Sequence, residues 1–482
     1  MNVEWGLLTP EFILLGIALL VWGIDMALPD RQKSLLAYLA AAGLLAVLVA
    51  AVAQIGLDRQ LFGGLIRVDS YSILFRIIFP AVGILVCLSS IDFVKQRLAH
   101  PGEYYGIVMT SVLAMMFMAS AGELLTAYIS LELMSFTFYI LASYARDDLK
   151  SNEAGVKYIL LGALSSAILL YGISLLYGAT GTTTFPGLAD AVKQGTALTV
   201  VFGLGLALVL AGFAFKVAAA PFHMWAPDVY EGAPTPVTAF LSVASKMAAF
   251  VLLLRLVATA FMPLAPDWRT VVAALALVSM VVGNLVALAQ KNIKRLIAYS
   301  SIGHAGYLLL GFAALTPSAS LVSNGILFHL VGYAASNLAA FLVVIAVTNL
   351  TGKEEILDYN GLAERAPLLA LALAVAFFSS AGLPFFAGFT TKFYLFTAVV
   401  KENPALLWLV GLAAVMSLVS LYYYLVVIKH MYIHAPAEQK RLGVPALLSG
   451  MLVFLVALIF VLGVYPEPLL NAIQGASRVL FA

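Results

Sequence analysis

Predominantly apolar runs of eighteen residues or more recur from one end of this sequence to the other. A run of that length crosses the hydrocarbon core of a bilayer as a helix. In lipid, only helices and closed barrels satisfy every backbone polar group. Charge is scarce to match: Asp, Glu, Lys and Arg make up 10% of the 482 residues and apolar types 63%. Soluble domains carry about 25% charged residues, so the bilayer is the solvent here. The spacing predicts an all-α integral membrane protein, a single polytopic membrane domain over 1–482, with about fourteen transmembrane helices. The segments are 11–28, 34–56, 71–91, 104–121, 124–144, 156–179, 197–222, 236–262, 270–290, 293–314, 320–350, 367–400, 405–428 and 444–464. The first lacks the basic flank and small-residue site of a cleavable signal. No long polar stretch intervenes, so no sizeable extramembrane domain is expected.

Several chemistries are excluded at once. The single cysteine, Cys87, cannot build a disulfide, a thiolate zinc site or an iron–sulfur cluster. The six histidines are scattered, and no P-loop or GxGxxG fingerprint is present. A net charge of +2 gives no reason to expect nucleic acid. Whatever the chain does, it is expected to do inside the membrane without a cofactor of its own.

Basic residues set the orientation. Fifteen fall in odd-numbered loops, among them Arg31, Lys95, Arg146, Lys150, Lys157, Lys291, Arg295, Lys353 and Lys440; six fall in even-numbered loops and the termini. The odd loops are therefore predicted to be cytoplasmic and both termini outside. Five basic residues are left within apolar segments: Arg76, Lys216, Lys246, Arg255 and Lys392. Among the acids, Glu132 alone lies well inside a span. A charge at the bilayer centre costs at least about 2.5–3.5 kcal/mol and often marks an ion or proton pathway.

Each has a bland alternative. Glu132, in span five, is either a proton site and lysine partner or a protonated packing group. Lys216 precedes Pro221 and His223 in span seven; a desolvated lysine exchanges its proton readily, but a lysine near a span end can also snorkel. His223 shares the Lys216 face if the helical phase survives Pro221. Lys246 lies ten residues into span eight among Ala244, Ser245 and Ala248, where snorkelling is harder. Lys392 lies in a segment too long for one straight crossing, about 51 Å against a core of about 30 Å. Gly382, Pro384 and Gly388 mark a break there. Arg76 and Arg255 hold their protons and read as structural pairs or interfacial anchors. His329 is equally a relay or a packing residue; His304 is similar but near a span end.

The two interrupted spans, seven and twelve, are five apart. Matching breaks point to internal repeats, here spans four to eight and nine to thirteen. Each unit has an odd number of helices, so the repeats run in opposite senses. Ala127-Tyr128-Ile-Ser130-Leu in span five matches Ala298-Tyr299-Ser-Ser301-Ile in span ten. The chain then divides into three N-terminal helices (1–100), a first inverted repeat (101–262), a second (263–430) and a C-terminal helix (431–482). Glu132, Lys216 and Lys246 fall in the first unit, and His329 and Lys392 in the second, giving two half-channels.

Three stretches carry a resemblance: Ala220-Pro-Phe-His-Met-Trp-Ala-Pro-Asp228-Val-Tyr-Glu231-Gly-Ala-Pro-Thr-Pro236-Val, Gln290-Lys-Asn-Ile-Lys-Arg-Leu-Ile-Ala-Tyr-Ser-Ser-Ile-Gly-His-Ala-Gly-Tyr307 and Glu153-Ala-Gly-Val-Lys157-Tyr-Ile-Leu-Leu-Gly-Ala163. From about residue 100 to 430 the chain resembles the subunit N family of the bacterial proton-pumping NADH:quinone oxidoreductase, respiratory complex I. The resemblance implies fourteen helices with inverted five-helix repeats and broken helices seven and twelve. It implies a proton path through Glu132, Lys216, Lys246 and Lys392, and moves Lys157 from a loop to the start of span six, with Glu153 at pairing distance. It also implies that NADH, flavin, iron–sulfur clusters and quinone sit in other subunits. The expected partners are other membrane-arm subunits, including neighbouring antiporter-like subunits, and the expected location is the bacterial cytoplasmic (inner) membrane. A cation/proton antiporter subunit is the alternative, disfavoured by the Asp-Val-Tyr-Glu-Gly form; a non-conducting scaffold and a quinone-binding redox enzyme are the others.

Overall fold

A computed structural model describes residues 4–98, 100–195, 200–317, 320–436 and 440–481. The spanning helices are α1 (Thr9–Ala27), α2 (Leu35–Val52), α3 (Ser70–Ser89), α4 (Pro101–Ser120), α5 (Leu124–Ala142) and α6 (Leu149–Thr180). Helix α7 is split into α7a (Val200–Lys216) and α7b (Trp225–Gly232). The next apolar run, Thr235–Ala287, has 53 residues. As one helix it would reach about 80 Å, so it holds two crossings. They are α8, from Thr235 through Leu256 with a π-helical turn at Leu241–Ser245, and α9 (Ala265–Ala287), joined through Met262–Leu264. Then come α10 (Ile293–Ala313), α11 (Ser320–Thr351), α12a (Pro367–Ala381), α12b (Ala387–Glu402), α13 (Leu407–Tyr432) and α14 (Ala446–Val464). Among the described residues, fourteen crossings and both predicted breaks are present.

Loop contacts sort the ends of these helices into two faces. On one, Lys150 meets Glu231 and Asn292 bridges to Glu355, all beside odd-numbered connections. On the other, Ile66 bridges to Ala121, Glu123 to Thr184, and Arg269 donates to the Leu315 carbonyl, all beside even-numbered ones. A missed crossing would have mixed the two sets.

Local chemistry sets the helix ends. Asp69 caps α3 by accepting from the Ser72 amide at 2.8 Å, and Asn292 caps α10 by accepting from Lys294 and Arg295. Gly181, at φ 70°, closes α6. Small residues let backbones approach where the core is tightest. A Cβ on Gly172 of α6 would meet the Gly205 carbonyl of α7a at 2.8 Å, and α9 and α10 cross on Gly283 and Gly303.

Several elements among the described residues carry no strong hydropathy signal and lie outside the expected spans, among them the short helix Ile91–Arg97. A β-hairpin pairs Arg59–Leu61 with Ile66–Val68 on the even-loop face. The short helix Phe185–Lys193 follows α6. The C-terminal region, expected as one helix, has a second, Glu467–Arg478, whose Ser477 hydroxyl donates to Asn324 of α11. It is amphipathic, so it lies along the protein and does not cross.

Candidate functional site

Each of the two helix breaks has a lysine at the carboxyl end of a half-helix. Lys216 is the last residue of α7a; Ala218 then takes a left-handed φ of 56°, and the chain does not resume helical form until Trp225. The Trp225 indole donates at 3.0 Å to the Phe215 carbonyl, which also accepts from the Ala218 amide, and the ring stacks on Tyr158 at 4.6 Å. Lys392 lies in α12b, but its Nζ reaches back to the Ser380 carbonyl at 2.7 Å and the Ala381 carbonyl at 3.4 Å, the end of α12a. The partial negative charge of a helix C-terminus favours a cation in both places.

The surroundings then differ. Lys216, 7% exposed, donates to Glu132 Oε1 at 3.2 Å, Ser135 Oγ at 2.7 Å and Ser166 Oγ at 3.3 Å. Ser166 also donates to Glu132 Oε1 at 2.6 Å. Helices α5, α6 and α7a therefore meet at one carboxylate–ammonium pair. Lys392, 4% exposed, has no carboxylate partner among the described residues; Ser417 Oγ of α13 lies at 2.9 Å and the Tyr307 ring at 4.7 Å. The matched segments of spans five and ten place Glu132 in register with Gly303. That position carries no side chain, and a Cβ there would meet the Asn284 amide nitrogen at 2.8 Å, so the second repeat holds no carboxylate at the matching place.

Lys246, 3% exposed, follows the π-helical turn of α8 and donates to the Ser301 carbonyl at 2.7 Å and to the Ser301 hydroxyl. Beyond it, His304 Nδ1 lies 3.3 Å from His329 Nε2, and His329 Nδ1 lies 3.0 Å from Thr391 Oγ1, next to Lys392. The ionisable side chains thus pass from one repeat into the other: Glu132, Lys216, Lys246, the His304–His329 pair, Lys392.

Three expectations need correction. Lys157 is not in a loop: it stands at the start of the apolar part of α6, as the resemblance implies, and the helix begins two turns earlier at Leu149, where the polar Ser151, Asn152 and Glu153 form its first turns. Lys157 pairs with Glu153 at 2.7 Å and Asp228 at 2.8 Å on the odd-loop face, apart from the buried row. His223 does not share a helical face with Lys216, because the break from Val217 to Met224 destroys the phase; its ring lies near Tyr299 instead. His304 is not near a span end but deep within α10.

Sequence reasoning missed the neutral partners Ser135, Ser166, Ser301, Tyr333 and Ser417, which hydropathy cannot single out. Asp228, Glu231 and Arg295 lie in the stretches that carry the family resemblance. Asp228 bridges Lys157 and Arg295, and Glu231 bridges Arg295 at 3.1 Å and Lys150 at 3.4 Å. The motif thereby ties α7b to α6 and α10 just outside the buried row. Arg76 pairs with Glu11 at 2.7 Å and Arg255 with Asp69 at 2.7 Å, both structural pairs near the even-loop face.

Fourteen crossings among the described residues, with helices seven and twelve broken and a lysine at each break, define an antiporter-like polytopic membrane protein. The family described as NADH:quinone oxidoreductase/Mrp antiporter, TM, matches residues 121–459. NADH-quinone oxidoreductase subunit N of Heliobacterium modesticaldum is 44% identical over 99% of this chain and 100% of its own, and that of Moorella thermoacetica 44% identical over 98% of each. A chain of respiratory complex I from Thermus thermophilus with bound aureothin is 33% identical, covers 97% of this chain and 100% of itself, and superposes with a TM-score of 0.79. A chain of the Mrp complex from a Dietzia species, 21% identical with a TM-score of 0.88, shares the fold. The chain belongs to the NADH-quinone oxidoreductase subunit N family.

Proposed function

We propose that this subunit translocates protons from the cytoplasm to the outside, driven by electron transfer from NADH to quinone in other subunits of the same complex. The observation that carries this is the buried Glu132–Lys216 pair at 3.2 Å, continued by Lys246 and Lys392. An ammonium beside a carboxylate holds its proton; separating the two loosens it. A conformational or electrostatic change along the membrane arm would open the pair, and the Lys216 proton would pass by way of Lys246 and water to Lys392 and outward. His304 and His329 are placed to serve the step toward Lys392, His223 to serve water near the first break, and Lys157 to hold α7b through Asp228. The partners are other membrane-arm subunits, including antiporter-like neighbours, within the bacterial cytoplasmic membrane. The odd-loop face is cytoplasmic and both termini are outside. NADH, flavin, iron–sulfur clusters and quinone belong to the partner subunits. The functional units are the repeats 101–262 and 263–430, flanked by 1–100 and 431–482.

The test is Lys216→Ala and Glu132→Gln in the assembled complex, reconstituted in vesicles. Both are expected to reduce proton translocation at least tenfold. Normal translocation with normal NADH oxidation overturns the proposal.

A further inference from the structure

Lys246 joins the two repeats, and one tyrosine of the second repeat governs how it is held. The i→i+5 spacing of the π-helical turn Leu241–Ser245 leaves a carbonyl open to donors from outside the helix, and such turns gather at functional sites. Within this turn the Ser242 carbonyl accepts from outside the helix, from the Tyr333 hydroxyl of α11 at 3.1 Å. Asn337, one turn further along α11, donates from Nδ2 to Tyr333 Oη at 2.9 Å and to Ser242 Oγ at 3.0 Å. Tyr333 Oη also lies 2.7 Å from Ser301 Oγ. All four residues are buried.

The direction of these bonds follows from the inventory of protons. A tyrosine hydroxyl has one hydrogen, and a carbonyl only accepts. Tyr333 gives its hydrogen to Ser242, so Ser301 must give its own to Tyr333. The Ser301 oxygen is then turned toward the Lys246 ammonium, which donates to it. The chain runs Lys246 to Ser301 to Tyr333 to an amide carbonyl. An amide carbonyl does not pass a proton on, so this branch holds and does not conduct.

We propose that Tyr333 is a positioning residue for Lys246: its hydroxyl clamps the turn that precedes the lysine and orients the Ser301 hydroxyl that receives the ammonium. The second repeat thereby sets the geometry of a lysine that belongs to the first. This rests on the proton path proposed above and adds to it a residue outside the charged row.

The test compares Tyr333→Phe with Lys246→Ala in the purified, vesicle-reconstituted complex, with proton uptake measured per assembled complex. Tyr333→Phe leaves the ring and removes the oxygen that three partners share. Losing one partner of buried hydrogen-bonding groups predicts about a five- to tenfold fall in turnover and coupled proton uptake, with the KM values for NADH and quinone within about twofold of wild type. In a Ser301→Ala background the same change adds less than in wild type, because the two act through one chain. Wild-type turnover in Tyr333→Phe while Lys246→Ala fails overturns the positioning role alone; normal pumping in Lys246→Ala overturns the path itself. Full additivity with Ser301→Ala also overturns the positioning role. If Tyr333→Phe does not assemble, Asn337→Leu removes only the second hold on the clamp, and the same split at about two- to threefold is expected; unchanged turnover there is the overturning result.

Discussion

The ammonium of Lys392 lies 2.7 Å from the carbonyl oxygen of Ser380, twelve residues earlier in the chain. The contact exists because helix twelve stops at Ala381 and restarts at Ala387, so the last carbonyls of α12a find no amide of their own helix and meet the lysine. The lysine is therefore held by dipoles rather than by a counter-charge. Lys216 has the same helix-end setting plus the Glu132 carboxylate. On the proposed path, the first site would change its electrostatics if its ion pair opened; among the described residues the second has no such pair.

Exchanging Lys392 for arginine separates charge from proton exchange. Arginine keeps the positive charge and does not give up its proton in proteins. Lys392→Arg is expected to assemble and to lower proton translocation at least tenfold, measured as acidification per NADH oxidised in vesicles. Retention of full translocation would show that Lys392 supplies only charge.

The break itself depends on Gly388. A Cβ there would run into the Ser379 carbonyl, a backbone atom that cannot turn aside. Gly388 also gives its amide to Ser379 Oγ at 3.0 Å, so the two halves of helix twelve are fastened at this point. Gly388→Ala is expected to force the halves apart, at a cost of about 1–3 kcal/mol. A lower thermal midpoint of the purified complex, with Lys392-dependent pumping reduced, is the expected outcome.

On the odd-loop face, Asp228 holds Lys157 at 2.8 Å and Arg295 at 2.7 Å. These side chains are partly exposed, and such pairs contribute roughly 0–1 kcal/mol each. Asp228→Asn should leave the fold intact but loosen α7b against α6 and α10, the helices that carry Ser166 and Ser301. Pumping is expected to fall about two- to fivefold at low ionic strength. Because salt screens exposed pairs, the gap between variant and wild type should narrow as salt is raised; a gap independent of salt would count against the ionic role.

The spans, both breaks and the buried lysines were legible because each leaves a mark in one dimension: an apolar run, a proline or glycine, a charge where charge is costly. What satisfies those charges was not legible. The partners of Lys216 are eighty-four, eighty-one and fifty residues away. Serine stands out on no hydropathy scale, and the Ser380 and Ser301 carbonyls that serve Lys392 and Lys246 belong to every residue type. Helical periodicity does not place His223, because the helix is absent between Lys216 and Trp225. Lys157 was misplaced because the polar first turns of a long helix look like a loop.

Arg255 and Asp69 give the clearest separation of structure from conduction. The guanidinium meets both carboxylate oxygens, at 2.7 and 2.8 Å, and lies 4.8 Å from the Tyr71 ring. The pair fastens α8 to the start of α3, so it braces the helix that carries Lys246 without touching that lysine. Asp69 has a second task as the cap of α3, accepting from the Ser72 amide. Removing one partner of a buried pair leaves an unmatched charge and costs about 3–5 kcal/mol. Asparagine caps about as well as aspartate, whereas alanine does not, and the lost cap adds about 1 kcal/mol. Stability should therefore fall in the order wild type, Asp69→Asn, Asp69→Ala, and Arg255→Met combined with Asp69→Asn should recover part of the loss because no lone charge remains. Thermal unfolding of the purified complex measures the order. Proton uptake per NADH oxidised in the surviving complex should stay at the wild-type ratio; a changed ratio would place the pair in the conducting machinery rather than in the scaffold around it.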